Sequence, residues 1–241
     1  MKRVSKPSTL QELVRSFTDA ALLLESAKVL RARNELEAAL QMAEHGLALL
    51  APLAPESTPH QKAMLADLAA DLAAEMGQGE RALRAAELAF RAAPSLNAYR
   101  KAQNLAGECW ETVKPELLKY LRQIKAYVGD AKIDIFLYEG LIDDAITAVQ
   151  ERHYYGEALT RVMDAALATR PDWVIKATTT RAERIIDARK AQDYAAAVSW
   201  LRRAHNAYRS AGRQADWQNY ISGIRTTHRR KRKLIWLLKG L

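Results

Sequence analysis

The residues best suited to chemistry form a basic run near the C-terminal end of the chain. Positions 229–233 read Arg-Arg-Lys-Arg-Lys and follow a histidine. Clustered cations neutralise phosphates, and such binding is independent of base sequence and weakens steeply with salt. Further arginines precede the run and would line the same ridge if their helices stack. The predicted binding residues are Arg202, Arg203, Arg209, Arg213, Arg225, Arg229, Arg230, Lys231, Arg232 and Lys233.

The charge is distributed unevenly along the chain. Residues 1–120 hold 15 basic and 15 acidic side chains, and residues 121–175 hold 6 and 9. Residues 176–241 hold 16 basic and only 4 acidic side chains, a net charge of +12. This asymmetry indicates an acidic protein surface or nucleic acid as the partner. The alternative is a solvated helical end that happens to be rich in arginine.

The other reactive residue types do not form a catalytic or metal-binding pattern. Cys109 is the single cysteine, so neither an internal disulfide nor a cysteine-based zinc site can form. We expect its thiol to be buried and unreactive, because no cation that would lower its pKa is evident. The histidines are scattered, and the glycines do not cluster into a phosphate-binding loop. The sequence predicts no enzyme, no metal and no cofactor.

Two polar clusters have structural explanations. Asp143 and Asp144, and Asp130 with Asp134, are expected to cap helices rather than bind a cation, which needs several converging oxygens. The segment 153–156, His-Tyr-Tyr-Gly, is expected to be a turn that wedges between helix pairs rather than a pocket.

The elements that must position the basic residues are predicted to be helices. Alanine and leucine, which favour helices, dominate the apolar residues, and no alternating strand pattern of useful length occurs. Pro52, Pro94 and Pro171 recur at roughly one and two units of ~40 residues, a length typical of helix–turn–helix repeats. We predict an all-α chain, an irregular α-solenoid of antiparallel helix pairs similar to tetratricopeptide repeats. It would be a single domain over 1–241, with a hinge near 52–59.

Several helix ends are predicted from capping residues. Thr9 with Glu12, and Asn34 with Glu37, have the spacing of a capping box that begins a helix. Thr58 followed by proline predicts another helix start. A glycine pair at 77 and 79 is expected to end that helix.

The aromatic and apolar residues near the C-terminal end are expected to lie in the core. Trp200, Trp217 and Trp236 have the spacing of contacts between helices, so no base-stacking set is predicted. The apolar tail 234–238 is expected to fold back as a final helix that caps the stack. Alternatives are a helix on a membrane surface and an exposed contact between two copies.

A series of residues from about position 80 onward is specific in its order along the chain. These are Tyr99, Trp110, Tyr194, Ala197, Val198, Trp200, Leu201 and Tyr220, with segments 106–107, 117–121, 137–140, 144–145, 170–172, 212–217 and 228–234. On these residues, the chain from about 80 to 241 resembles the C-terminal helical region of bacterial SWIM zinc-finger proteins. The resemblance implies a helical-repeat scaffold with a role in interaction. The family's zinc finger, built from Cys-x-Cys and Cys-x-His pairs, is absent, because one cysteine cannot form it, so zinc-dependent binding is not expected.

These patterns favour a non-enzymatic scaffold that binds a protein partner along an extended groove. The alternative is an accessory nucleic-acid-binding module that uses the basic C-terminal helices. Because the single cysteine suits a reducing compartment and no signal peptide or run of ~20 apolar residues is evident, we predict a cytoplasmic protein that has no membrane partner.

Overall fold

The computed structural model describes residues 20–51, 58–125, 128–151 and 156–241. Over these ranges the chain consists of helices and short connections, with no strand. The prediction of an all-α protein is confirmed. No described helix is both long enough and apolar enough to cross a bilayer.

The helices group into two compact units, one ending at Glu139 and the other spanning Gly140–Leu241. The boundary lies outside the predicted hinge, of which only residues 58 and 59 are described. The single domain stays a prediction, and each unit is described by itself. The helices of the first unit are α1 (Ala20–Ala32), α2 (Leu36–Leu50), α3 (Pro59–Glu75), α4 (Gly79–Ala92), α5 (Leu96–Ala106), α6 (Trp110–Gln123) and α7 (Ala131–Tyr138).

The second unit begins at Gly140, a glycine with positive φ. Its last three helices and the turns between them carry the predicted binding residues. One connection contains a 3-10 turn at Ala191–Asp193, and another 3-10 turn, Leu238–Gly240, follows the last helix. The helices are α8 (Ile142–Glu151), α9 (Glu157–Ala166), α10 (Pro171–Asp187), α11 (Tyr194–Ser210), α12 (Gln214–Thr227) and α13 (Arg232–Leu237).

Small residues let consecutive helices of the first unit approach closely. Helix α3 packs against α2 and α4, and α1 packs against α2. A Cβ atom added to Gly46 of α2 would lie 2.9 Å from a Leu65 methyl carbon of α3, so a larger residue here would require the Leu65 side chain to shift. Leu23, Leu40 and Leu72 are fully buried beside it. Burial of such leucines and alanines supplies the main stabilisation of the unit.

An aromatic cluster surrounds Tyr99 of α5 in the first unit. The ring of Tyr99 lies 5.1 Å from that of Trp110 and 5.8 Å from that of Phe90. Its hydroxyl donates a hydrogen bond of 3.1 Å to Glu139. A similar cluster in the second unit surrounds Trp217, whose ring stacks on His205 at 5.0 Å. Each unit thus has one buried aromatic centre.

Polar links join helices that are two apart along the chain. In the first unit, Arg31 pairs with Glu75, Arg81 with Glu44, and Lys101 with Asp67. In the second, Arg203 pairs with Asp164, Arg213 with Asp172, and Tyr220 donates to Glu183. The residues of these six pairs are 34 to 44 positions apart. Similar contacts therefore recur at similar spacing.

Helix ends agree only in part with the capping patterns. Asn34 is not an N-cap: its φ is 62°, and it follows α1, where the Glu35 amide donates to the Leu30 carbonyl as in a Schellman turn. Thr58 does precede Pro59 at the start of α3, but its hydroxyl makes no capping hydrogen bond. Gly77 ends α3 with a φ of 72°, whereas Gly79 begins α4. Thr9 and Glu12 lie outside the described residues.

Candidate binding surface

The C-terminal helix folds back onto the second unit, as predicted for the tail, whereas its role as the cap of a helical stack stays a prediction. Helix α13 packs against α11, where Val198 and Leu201 are buried. Leu234 of α13 and Leu238 of the turn after it are both fully buried. This anchoring fixes the position of the basic run, which occupies the turn after α12 and the first residues of α13.

Lys231 is the structural anchor within the basic run. Its ammonium group donates a hydrogen bond of 2.7 Å to the Ile186 carbonyl near the end of α10. The same group lies 5.9 Å from the centre of the Tyr194 ring at the start of α11. The turn after α12 is therefore held against the connection between α10 and α11.

Four other predicted binding residues also have partners within the unit. Besides pairing with Asp172, Arg213 donates from Nε to Asp216 at 2.7 Å and lies 5.4 Å from the centre of the Tyr208 ring. The hydrogen bond to Asp216, and then the nearby carboxylates, raise the pKa of Arg213. These contacts stabilise the scaffold. The remaining contacts are those of Arg203 with Asp164, Arg225 with the Leu238 carbonyl at 3.0 Å, and Arg209 with Asn206 at 3.5 Å.

The remaining five predicted residues are exposed. Among the residues that the structure describes, no acidic side chain forms an ion pair with any of them. Arg202 lies apart from the run, beside a cleft of about 370 Å³ between α9 and α11. The other four lie together in sequence around Lys231. They are Arg229, Arg230, Arg232 and Lys233.

Two further cations adjoin this group but were not predicted. Arg189 and Lys190 are exposed in the connection after α10, three and four residues beyond the carbonyl that binds Lys231. Arg189 has a φ of 58°, in the left-handed region that glycine occupies at lower cost. The signal in the sequence is an Arg-Lys pair at a helix end where glycine is common. We call Arg189, Lys190, Arg229, Arg230, Arg232 and Lys233 the C-terminal basic surface.

Acidic and titratable groups near this surface are few. Burial first, and then the charge of Lys231, lower the pKa of His228, while Asp187 and Glu183 act in the opposite direction. Glu183 already accepts the hydrogen bond from Tyr220. Asp187, the last residue of α10, and Asp193, in the connection that follows, are exposed. With six cations and two exposed carboxylates, the surface is strongly positive.

Tryptophan burial differs from the prediction at one position. Trp217 is 1% exposed and Trp200 is half-buried, but Trp236 on α13 is 67% exposed. The expectation of a buried Trp236 is wrong because Leu234 and Leu238 occupy the side of this short helical segment that faces α11. An exposed indole therefore lies in the helix that carries Arg232 and Lys233.

The other candidate residues do not assemble into a reactive site. Cys109 is exposed in a 3-10 turn, so its predicted burial is wrong. Asp143 accepts two hydrogen bonds from Arg170, and this contact lowers the pKa of the carboxyl. In the described ranges no three His, Cys, Asp or Glu side chains lie close enough to hold a metal. The residues 153–155 lie outside the described part.

Comparisons with protein-family models, curated proteins and solved structures found no match to the chain. The resemblance to the helical region of SWIM zinc-finger proteins therefore stays a prediction.

Proposed function

We propose that the protein is a non-enzymatic helical-repeat scaffold that mediates protein–protein interaction. The observation that carries the proposal is the recurrence of links between helices two apart, at separations of 34 to 44 residues. Contacts of that period are expected when each helix pair stacks on the next. On this proposal, the helix pairs form an irregular α-solenoid similar to tetratricopeptide repeats, with the family-like part over about 80–241.

A stack of helix pairs presents an extended groove, and the first unit offers a groove of suitable size. Two adjoining cavities of about 420 and 440 Å³ lie between α3 and α5 and share Asn97 and Lys101. Because Lys101 is neutralised by Asp67 and Asp71, the groove has no strong net charge. Asn97 and Asn104 are exposed along it. Such a groove suits an extended peptide segment bound through side-chain amides.

The experiment uses the purified full chain as bait and compares it with two double variants. Asn97→Arg with Asn104→Arg fills the groove, and Gln218→Arg with Asn219→Arg adds the same two charges at exposed positions of α12. We expect the wild type and the α12 variant to capture the same protein with equal affinity, and the groove variant to bind it at least about tenfold more weakly. Capture of no protein, or equal capture by all three, would overturn the proposal.

The second candidate function is nucleic-acid binding by the basic C-terminal helices. It is favoured by one observation, the exposed cations around Lys231 that have no acidic partner in the described part of the chain. Cations of this kind contact phosphates independently of base sequence. Replacing Arg229, Arg230, Arg232 and Lys233 with alanine should abolish salt-sensitive binding. Lys231 should be kept, because its contact with the Ile186 carbonyl holds the turn in place.

A further inference from the structure

The C-terminal basic surface has the two components that a binding site for single strands needs. Phosphates of a single-stranded nucleic acid are bound by a line of cations, and its unpaired bases stack on exposed aromatic rings. The cations come from two segments that are far apart in sequence. The hydrogen bond from Lys231 to the Ile186 carbonyl joins residues 45 positions apart and places the two segments side by side.

The aromatic component is Trp236. On a helix, side chains three and four positions apart lie on the same face, with their Cβ atoms about 5–6 Å apart. Trp236 is three residues from Lys233 and four from Arg232, and all three side chains are exposed. The indole is 67% exposed although its helix is packed against α11. A large apolar ring held in solvent beside two cations costs hydration free energy unless a ligand covers it.

We propose that this surface binds single-stranded nucleic acid, with the six cations contacting phosphates and Trp236 stacking on a base. The inference rests on the second candidate function and names its ligand. A duplex satisfies the cations equally well, but its bases are already stacked on one another, so the indole gains little from it. Single strands alone use both parts of the surface.

A membrane surface fits the same residues less well. A helix that lies in a bilayer interface must insert a broad apolar face. Helix α13 has six residues, and its apolar Leu234, like Leu238 just after it, is already buried within the protein. Trp236 is the only large apolar side chain of the described second unit that is strongly exposed. One indole beside six cations suits a polyanion with unpaired bases better than a lipid interior.

Fluorescence anisotropy measures binding to a labelled 20-nucleotide oligo(dT) and to a labelled 20-base-pair duplex across a salt series. Binding to vesicles of phosphatidylcholine and phosphatidylserine is measured over the same salt series. Trp236→Ala should weaken oligo(dT) binding by about tenfold and leave the salt slope unchanged, because stacking contributes no counterion release. Trp236→Phe should restore most of the affinity. Duplex binding should be unaffected by either change.

The two cation segments are tested separately. Arg189→Ala with Lys190→Ala should reduce the salt slope for oligo(dT) by about 1.4, which is about 0.7 for each lost phosphate contact, and Arg229→Ala with Arg230→Ala should do the same. Arg84→Ala with Lys119→Ala removes two exposed cations of the first unit and should change nothing. An unchanged salt slope for Arg189→Ala with Lys190→Ala would overturn the inference that the two cation segments bind the same strand.

The outcomes separate the inference from the function on which it rests. Equal affinity for oligo(dT) and duplex, with no effect of Trp236→Ala, would overturn the single-strand inference and leave phosphate binding standing. Absence of binding to both probes at low salt would overturn both. Binding to vesicles alone, with loss in Trp236→Ala, would replace the inference with a membrane surface. None of these results bears on capture by the groove of the first unit.

Discussion

Several basic side chains of the first unit link helices that are two apart, whereas the six cations of the C-terminal basic surface face solvent. Arg31, Arg81 and Lys101 each reach a carboxylate on a helix two positions earlier or later. In the C-terminal basic surface, six cations adjoin only two exposed carboxylates, Asp187 and Asp193. Both units have the same kind of aromatic centre. Stacking helices thus uses few cations, and we propose that the excess charge of the second unit serves binding.

The aromatic centres should be the most sensitive positions in both units. Trp217→Ala and Tyr99→Ala each remove a side chain that is at most 1% exposed, and each should lower the free energy of unfolding by about 3–5 kcal/mol. Urea denaturation measures the effect. Trp217→Phe is the matched control, because it keeps a ring but removes an indole N–H that is buried without a hydrogen bond in the described structure. If Trp217→Phe lost as much unfolding free energy as Trp217→Ala, burial of the ring would not be the source of the stabilisation.

Alkaline pH should destabilise both units for the same reason. Burial first, and then Glu139, raise the pKa of Tyr99, and burial followed by the hydrogen bond to Glu183 raises that of Tyr220. The folded protein keeps these protons above pH ~10, where the unfolded chain releases them. The free energy of unfolding should therefore fall as the pH rises above about 10, and it should be unaffected by these groups below that pH. Urea denaturation at pH 8 and 11 tests this. A double variant with Tyr99→Phe and Tyr220→Phe that showed the same fall would exclude these two hydroxyls as its cause.

A single link between helices of the first unit should have a moderate effect. Arg81 donates to both oxygens of Glu44, at 2.8 and 2.6 Å, and it is about one-third exposed. Arg81→Ala should lower the free energy of unfolding by about 1 kcal/mol, since partly exposed ion pairs contribute little more. The matched variant Arg230→Ala removes an exposed cation of the second unit and should change it by less than ~0.5 kcal/mol. Equal losses of unfolding free energy in Arg81→Ala and Arg230→Ala would show that the exposed cation stabilises its unit as much as the link between helices does.

The smallest effect concerns two residues with positive φ, one in each unit. Arg189→Gly should raise the free energy of unfolding by about 0.5–1 kcal/mol, because glycine adopts a φ of 58° without strain. Asn34→Gly should have a smaller effect, because asparagine already tolerates this region. Thermal denaturation measures both. Arg189→Gly should also weaken oligo(dT) binding, and a stabilised variant with wild-type affinity would show that Arg189 is not part of the surface.

The helices could be predicted from the sequence because the signals that specify them are local. Alanine and leucine runs predict helices, and Pro59 and Gly77 bound α3 for reasons that act within a few residues. Asn34 was misassigned because asparagine favours both the N-cap and the left-handed turn after a helix. The geometry of neighbouring carbonyls, which the sequence does not contain, decides between the two.

The candidate surface could be predicted only in part because its contacts are long-range. The basic run was evident, but the contact of Lys231 with Ile186 spans 45 residues and brings in Arg189 and Lys190. Trp236 was misassigned because its spacing fits a core position. Two leucines already cover the packed side of this short segment, and only the folded arrangement shows that the indole is left outside.

Two triple variants, each measured for stability and for binding, test whether cations of the first unit stabilise the fold and those of the C-terminal basic surface bind a ligand. One carries Arg31→Ala, Arg81→Ala and Lys101→Ala, and the other carries Arg229→Ala, Arg230→Ala and Arg232→Ala. The first should lose about 1–3 kcal/mol of unfolding free energy and keep its salt-dependent affinity for the labelled oligo(dT). The second should lose that affinity and unfold within ~0.5 kcal/mol of the wild type. If the variant of Arg229, Arg230 and Arg232 loses as much unfolding free energy as the first-unit variant, or binds oligo(dT) as tightly as the wild type, these cations do not form a binding surface distinct from the stabilising links.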